Sequence, residues 1–287
     1  MPMPISYPDI LDIKSEPQTR EWTDRDSMLY ALGIGMGQDP MNEDELKFVY
    51  ESGLKAVPTM ATCMAWGGGP SPGAMGINFM LVVHGEQKVE IHKPLPTEAT
   101  VVTDGRVLGA FDKGAGKGAV VVVETTMKDA RNGELLATLT SSIFARGDGG
   151  FGGPSEGAPE PHQVPDRAPD VSLDFPTTEN QALIYRLSGD RNPLHSDPGI
   201  AKLAGFPRPI LHGLCTYGVT CRAVLQAYAD MDPAKIKSHA IRFSAPVFPG
   251  ETITVDLWRV GDVVSFEARV KERGVTVAKN GKSELVA

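Results

Sequence analysis

An α+β protein made of two related halves is predicted by three features of the sequence. Residues 146–169, "RGDGGFGGPSEGAPEPHQVPDRAP", are crowded with glycine, proline and charge and divide the 287-residue chain nearly in half. Such a stretch builds no core element and reads as a linker or long surface loop. The flanking halves resemble each other. "MLYALGIGMGQDP" aligns with "LIYRLSGDRNPLH", placing Tyr30 on Tyr185, and "KPLPTEATVVTDGRV" aligns with "APVFPGETITVDLWRV", placing Pro96 on Pro249 and Glu98 on Glu251. The two matches have nearly the same offset, as an internal duplication requires. Finally, each half runs in one order, a polar loop, a helix and then several β-rich segments, which is the pattern of a helix packed on an antiparallel sheet.

The elements follow in chain order. The first half spans 1–145. After "LYALGIG", the segment 60–87 carries glycines and prolines where the other half has a long helix, so a shortened or missing helix is expected there. "AVVVVETTMKD" and "LLATLTSSIFA" are strands around an Asn132-Gly133 hairpin turn. In the second half, 170–287, "GDRNPLH" (189–195) is a loop. Asp197 before Pro198 is an N-cap followed by proline at the first helical position, so a short helix should run to near Gly205. Pro207 and Pro209 hold the chain extended until a helix starts near His212. Residues 210–230 are apolar on nearly all sides at helical length, so this helix should be buried against a sheet. Four β-branched segments separated by turn residues complete the half.

With 36 acidic and 28 basic residues the formal charge is −8, which argues against a nucleic-acid binder. No apolar run approaches the ~18 residues of a transmembrane helix, and the start of the chain has no secretory pattern. Cys63, Cys215 and Cys221 are sparse, odd in number and set among apolar residues, which predicts reduced thiols in a cytoplasmic protein. The six histidines show no metal-ligand spacing. "GIGMGQ" and "KGAGKGAVVVVE" lack the spacing of nucleotide loops, and the second reads as a hairpin turn.

The chemistry concentrates in 189–213, "GDRNPLHSDPGIAKLAGFPRPILHG". Singly, Asp190 and Asn192 serve a turn, and His195 is a satisfied polar residue beside a cap. Together, a carboxylate and an imidazole five residues apart can converge on one water. The helix start at Gly213 offers unpaired backbone N–H groups without a side chain in the way. An acid/base pair beside an oxyanion donor suits chemistry next to a thioester or other carbonyl. The duplication is a control: Gly35, Gly37 and Pro40 stand in the first half where the second has Asp190, Asn192 and His195. One half therefore reads as catalytic and the other as supporting.

The segment "YRLSGDRNPLHSDPGIAKLAGFPRPILHG", with "LYALGIG", "HGEQ", "KPLP" and "FSAPVFPGETI", resembles the MaoC-like (R)-specific enoyl-CoA hydratase 2 family over nearly the whole chain. The resemblance implies a double hot-dog fold, each repeat a curved antiparallel sheet around a helix. It implies reversible hydration of trans-2-enoyl-CoA to (3R)-3-hydroxyacyl-CoA with no metal or redox cofactor. Carried over by motif position, Asp190 and His195 hold and activate water, Asn192 helps place it, the Gly213 N–H binds the thioester oxygen, and Tyr185 orients the cluster. The first half would accommodate the acyl chain, with Met75 and Gly76, and also Met60, Met64 and Met80, along the pocket. Arg208, Lys93 and Arg242 are candidates for the CoA phosphates. His212 reads as structural, and His84-Gly85 as a superficial likeness to it. A homodimer is expected. Alternatives are a hydratase or dehydratase for a bulky branched or sterol-derived CoA thioester, a non-catalytic acyl-CoA-binding protein, or a thioesterase.

Overall fold

The computed structural model describes residues 4–286. One ten-stranded antiparallel sheet runs through both halves in the order β1-β3-β4-β5-β2-β7-β10-β9-β8-β6. The first half supplies β1 (Gln18–Trp22), β2 (Val82–Ile91), β3 (Ala99–Asp112), β4 (Ala119–Asp129) and β5 (Leu135–Ala145). The second supplies β6 (Val171–Pro176), β7 (Ile236–Phe243), β8 (Thr252–Val260), β9 (Val263–Val270) and β10 (Val275–Leu285). Read from either edge the connectivity is identical, β1 corresponding to β6 and β2 to β7. The duplication seen in the sequence is thus a two-fold repeat of topology. The halves join where β2 pairs β7, with Glu86 opposite Arg242 and Glu90 opposite Ser238.

Among the described residues six α-helices accompany the sheet: α1 (Asp24–Gly33), α2 (Glu43–Val49), α3 (Ala61–Met64), α4 (Gln181–Tyr185), α5 (Pro198–Leu203) and α6 (Gly213–Tyr228). The apolar α6 buries eleven of its sixteen residues and packs against β6 to β10. Its counterpart α3 is a single turn, as the glycines and prolines of 60–87 predict. The main core combines Trp22, Tyr30, Met60 and Met127 of the first half with Tyr185, α6 and the inner face of β7 to β10. A separate apolar cluster lies in the first half and contains Ile10, Met75, Ile77, Val107 and Val121.

Contacts across the repeat are specific. Glu45 of α2 and Arg222 of α6 form a buried ion pair, in which Arg222 Nε donates to Glu45 Oε1 at 2.7 Å. Glu45 also accepts the Gly37 N–H at 2.9 Å, and the guanidinium lies over the Phe175 ring. Gly218 of α6 allows a close approach: a Cβ there would lie 2.4 Å from Ile34 Cγ2. The 146–169 segment is extended but pinned to the sheet. Asn280 Nδ2 donates to His162 O at 2.7 Å, and Trp258 Nε1 donates to Arg167 O at 2.8 Å. Among the described residues no helix is long and apolar enough to cross a membrane.

Candidate active site

Local sequence rules shape the polar loop. Gly189 takes φ +148°, a conformation other residues rarely adopt, and a Cβ there would approach Cys63 O and the Trp66 side chain of the first half. Beyond it, Asp190 accepts the Asn192 N–H at 3.0 Å, and Asn192 Oδ1 accepts the Leu194 N–H at 3.0 Å. These Asx contacts tighten the chain into a 3₁₀ turn, Pro193–His195, that delivers His195 inward. Asp197 then caps α5, accepting the Gly199 N–H at 2.7 Å. Pro207 and Pro209 lead the chain back, and α6 begins at Gly213.

Asp190 and His195 thereby meet His212 at the N-terminus of α6, one residue before Gly213. His195 Nδ1–H donates to the Ile210 carbonyl at 2.9 Å, since a carbonyl only accepts. The tautomer is thereby fixed, and Nε2 keeps its lone pair. Burial lowers the His195 pKa below the ordinary histidine value, although the Ile210 bond and Asp190 pull it upward. The imidazole is therefore neutral near pH 7 and able to take a proton. Gly213, the first residue of α6, has no carbonyl one helical turn back for its N–H. Phe243 closes one side, its ring carbons 3.3 Å from where a Gly213 Cβ would be.

His212 stands between these groups. Its ring stacks on His195 with centroids 3.7 Å apart and planes at 26°, and its Nε2–H donates to the Asp190 carbonyl at 3.1 Å. Tyr185 packs against it at 5.0 Å, and the Tyr185 hydroxyl meets Cys63 Sγ at 3.3 Å. Tyr185 thus touches the cluster through His212. The ligand atoms of Asp190, His195 and His212 lie within 4.8 Å of one another. They do not fit one metal ion as arranged, because stacked rings direct their lone pairs along near-parallel planes. An ion about 2.1 Å from each nitrogen would need those planes to converge on it.

His84, which in sequence is only a superficial likeness to His212, lies beside the site. His84 lies on β2 with its ring 5.0 Å from Phe243, close enough to Asp190 to feel its charge. Burial pushes its pKa down to about 4, and its Nε2 has no hydrogen-bond partner among the described residues. The repeated dipeptide, His84-Gly85 against His212-Gly213, was the available signal. Cys63 and Trp66, which back Gly189, carried none.

The remaining predicted residues are dispersed. Met60 and Met64 pack with the core that contains Tyr185 and Leu214, whereas Met75 lies in the separate first-half cluster and Met80 is exposed. Gly76 forms a turn beside Met75, its N–H donating to Gly73 O. Lys93 pairs with Glu134 near the β4–β5 turn, and Arg208 pairs with Glu179 and lies over Phe248. Arg242 faces Glu86 at 3.8 Å on the β2–β7 seam. It borders a cleft of about 380 Å³ roofed by Pro159–His162 and a neighbouring one of about 360 Å³ that includes Gly85 and Lys113.

Comparison with known proteins places this arrangement. Residues 161–281 match the family model of the MaoC like domain, and residues 21–147 match the MFE-2 hydratase 2 N-terminal domain. The chain is 44% identical over 259 residues to a 3-hydroxyacyl-thioester dehydratase of Mycobacterium tuberculosis, covering 88% of this chain and 87% of that one. It is 41% identical to the peroxisomal enoyl-CoA hydratase 2 of Arabidopsis thaliana, covering 94% and 92%. The crystal structure of a MaoC-like dehydratase from Phytophthora capsici superposes with a TM-score of 0.86 at 38% identity, covering 96% of this chain and 97% of that one. A Mycobacterium tuberculosis protein described as a double hotdog fold shares the fold alone, with a TM-score of 0.53 at 14% identity over 96% and 97% of the two chains.

Proposed function

Because the chain belongs to the MaoC-like enoyl-CoA hydratase 2 family of hydro-lyases, with its double hot-dog fold, we propose that it adds water reversibly to trans-2-enoyl-CoA to give (3R)-3-hydroxyacyl-CoA. The observation that carries this reading is the gathering of the Asp190 carboxylate and His195, whose Nε2 keeps its lone pair, around His212, the residue before Gly213 at the start of α6. Water held between Asp190 and His195 loses a proton to His195 as its oxygen bonds to C3. The electrons move to the thioester oxygen, and the Gly213 N–H stabilises that developing enolate. The proton returns to C2, so one water is added across the double bond and nothing else is consumed. One site serves as base and then acid on the same face of the substrate. In this reading no metal or redox cofactor takes part, Asn192 steadies the loop, and Tyr185 acts through His212.

The acyl chain is assigned to the first half. The support is that α3 is one turn where the second half has the sixteen-residue α6. The thioester carbonyl faces Gly213, and CoA leaves past His84 and Phe243 toward the cleft shared by Lys113 and Arg242. Arg242 is thus favoured over Arg208 and Lys93, because it alone of the three borders these clefts. The same geometry serves the bulky-chain and the dehydratase readings. A cytoplasmic location is proposed on the three buried, unbridged cysteines. The test is incubation with crotonyl-CoA and a C10 enoyl-CoA. The conjugated-thioester absorbance should be lost without release of free thiol. Thiol release with the alkene intact would identify a thioesterase, and no reaction with either substrate would leave a binding protein.

A further inference from the structure

His212 exchanges no proton in the scheme above, yet it contacts the groups that do. It occupies the N-cap position of α6, where Ser, Thr, Asp and Asn are preferred because their side chains bond the first free N–H groups. Its side chain makes no such cap. It turns instead to the catalytic loop, where Nε2–H donates to the Asp190 carbonyl at 3.1 Å and the ring lies on His195 with centroids 3.7 Å apart. Tyr185 supports the ring from α4 at 5.0 Å. The next residue along the backbone is Gly213.

We propose that His212 is a positioning residue that holds the Asp190 peptide and the His195 ring in register with the Gly213 N–H. This rests on the hydratase reading. One side chain performs two tasks: the N–H fixes where the Asp190 backbone lies, and the ring face fixes the plane of His195. The groups facing it are Asp190 and His195 from the loop and Tyr185 and Arg186 from α4 and its end. Burial, with His195 and Arg186 nearby, pushes the His212 pKa down to about 3, so the stacked ring stays neutral. A neutral aromatic face tolerates the imidazolium that forms when His195 takes the water proton, and a charged one would oppose it.

Two variants separate the tasks. His212→Phe keeps a ring against His195 and Tyr185 but loses the donor to Asp190. His212→Gln keeps an amide donor at similar reach but removes the ring. Both are expected to lower kcat on crotonyl-CoA by about 10- to 100-fold, as misplaced catalytic groups do, with KM within about twofold of wild type. Ring ¹⁵N NMR of the resting protein reads the second task directly. The Ile210 bond selects the tautomer while the ring plane is held, so His195 should show a single Nδ1–H tautomer in wild type and in His212→Phe, and an averaged one in His212→Gln, where the unsupported ring swings off the Ile210 carbonyl. Wild-type kcat in either folded variant, a loss confined to KM, or an unchanged His195 tautomer in His212→Gln would overturn the proposal. A variant that fails to melt cooperatively leaves the decision to the other. Should wild type hydrate no enoyl-CoA, the hydratase reading falls, while the NMR arm still decides whether His212 holds His195.

Discussion

Lowering the pH from 7 to 5 is expected to destabilise this fold well before its carboxylates titrate. His212 and His239 are almost wholly buried, at 1% and 0% exposure, and burial pushes both pKa values down to about 3 from the ordinary 6.5. His239 is enclosed by neutral groups: Thr220 Oγ1 lies 3.0 Å from Nε2, Ser283 Oγ lies 2.6 Å from Nδ1, and Phe266 stacks on the ring, so no carboxylate offsets a charge there. Both groups are therefore neutral when folded and charged when unfolded below pH 6.5. Their pKa values are depressed on folding, so the associated stability is complete above about 6.5 and is lost as pH falls toward 3. At pH 5 each costs about 2 kcal/mol, from ~1.4 kcal/mol per pH unit over about 1.5 units. Together they give about 4 kcal/mol, a fall in Tm on the order of 10 °C. His84, pushed down to about 4, adds in the same direction. Asp129 and Asp170, held near 2 by Arg131 and Arg167, contribute only below about pH 4. Thermal melts at closely spaced pH values from 7 to 5 measure the slope, and His239→Gln should remove about one proton's share of it. A Tm constant between pH 7 and 5, or an unaltered slope in that variant, would refute the reasoning.

Other outcomes follow from the same geometry. Gly218→Ala places a methyl 2.4 Å from Ile34 Cγ2 and 2.9 Å from the Tyr30 hydroxyl, and should cost about 1–3 kcal/mol in denaturant unfolding. Arg222→Ala strands the buried Glu45 carboxylate and should cost about 3–5 kcal/mol, with a smaller loss in the double variant with Glu45→Ala. Arg242→Ala is expected to raise KM for CoA thioesters severalfold at constant kcat, and Arg208→Ala to leave both unchanged; the reverse pattern would relocate the phosphates. Light scattering should give a particle of about twice the 30.7 kDa chain mass, and a monomer would end the homodimer proposal.

Much of the architecture was legible because local rules governed it. The Asn132-Gly133 turn, the Asp197 cap and the start of α6 after the prolines each depend on residues within a few positions. The duplication extended that reach, and the mirrored strand order is its physical expression. The β2–β7 pairing was different: these strands are far apart in sequence, and no turn residue announces their junction. For the same reason Cys63, Trp66 and His84 could not be placed near Asp190, since their arrival depends on two sheets closing into one. The stacking of His212 on His195 was likewise hidden, because spacing along a loop does not report ring orientation.

The central claim is that Asp190 and His195 activate water for addition to an enoyl thioester. Its most direct measurement is hydration of crotonyl-CoA by wild type, Asp190→Asn and His195→Gln under identical conditions, with melts to verify folding and chiral analysis of the 3-hydroxyacyl product. Wild type should give the (3R) product, and each folded variant should retain binding while losing about 10²-fold or more of kcat. Turnover at the wild-type rate in either variant, or a (3S) product, would contradict it.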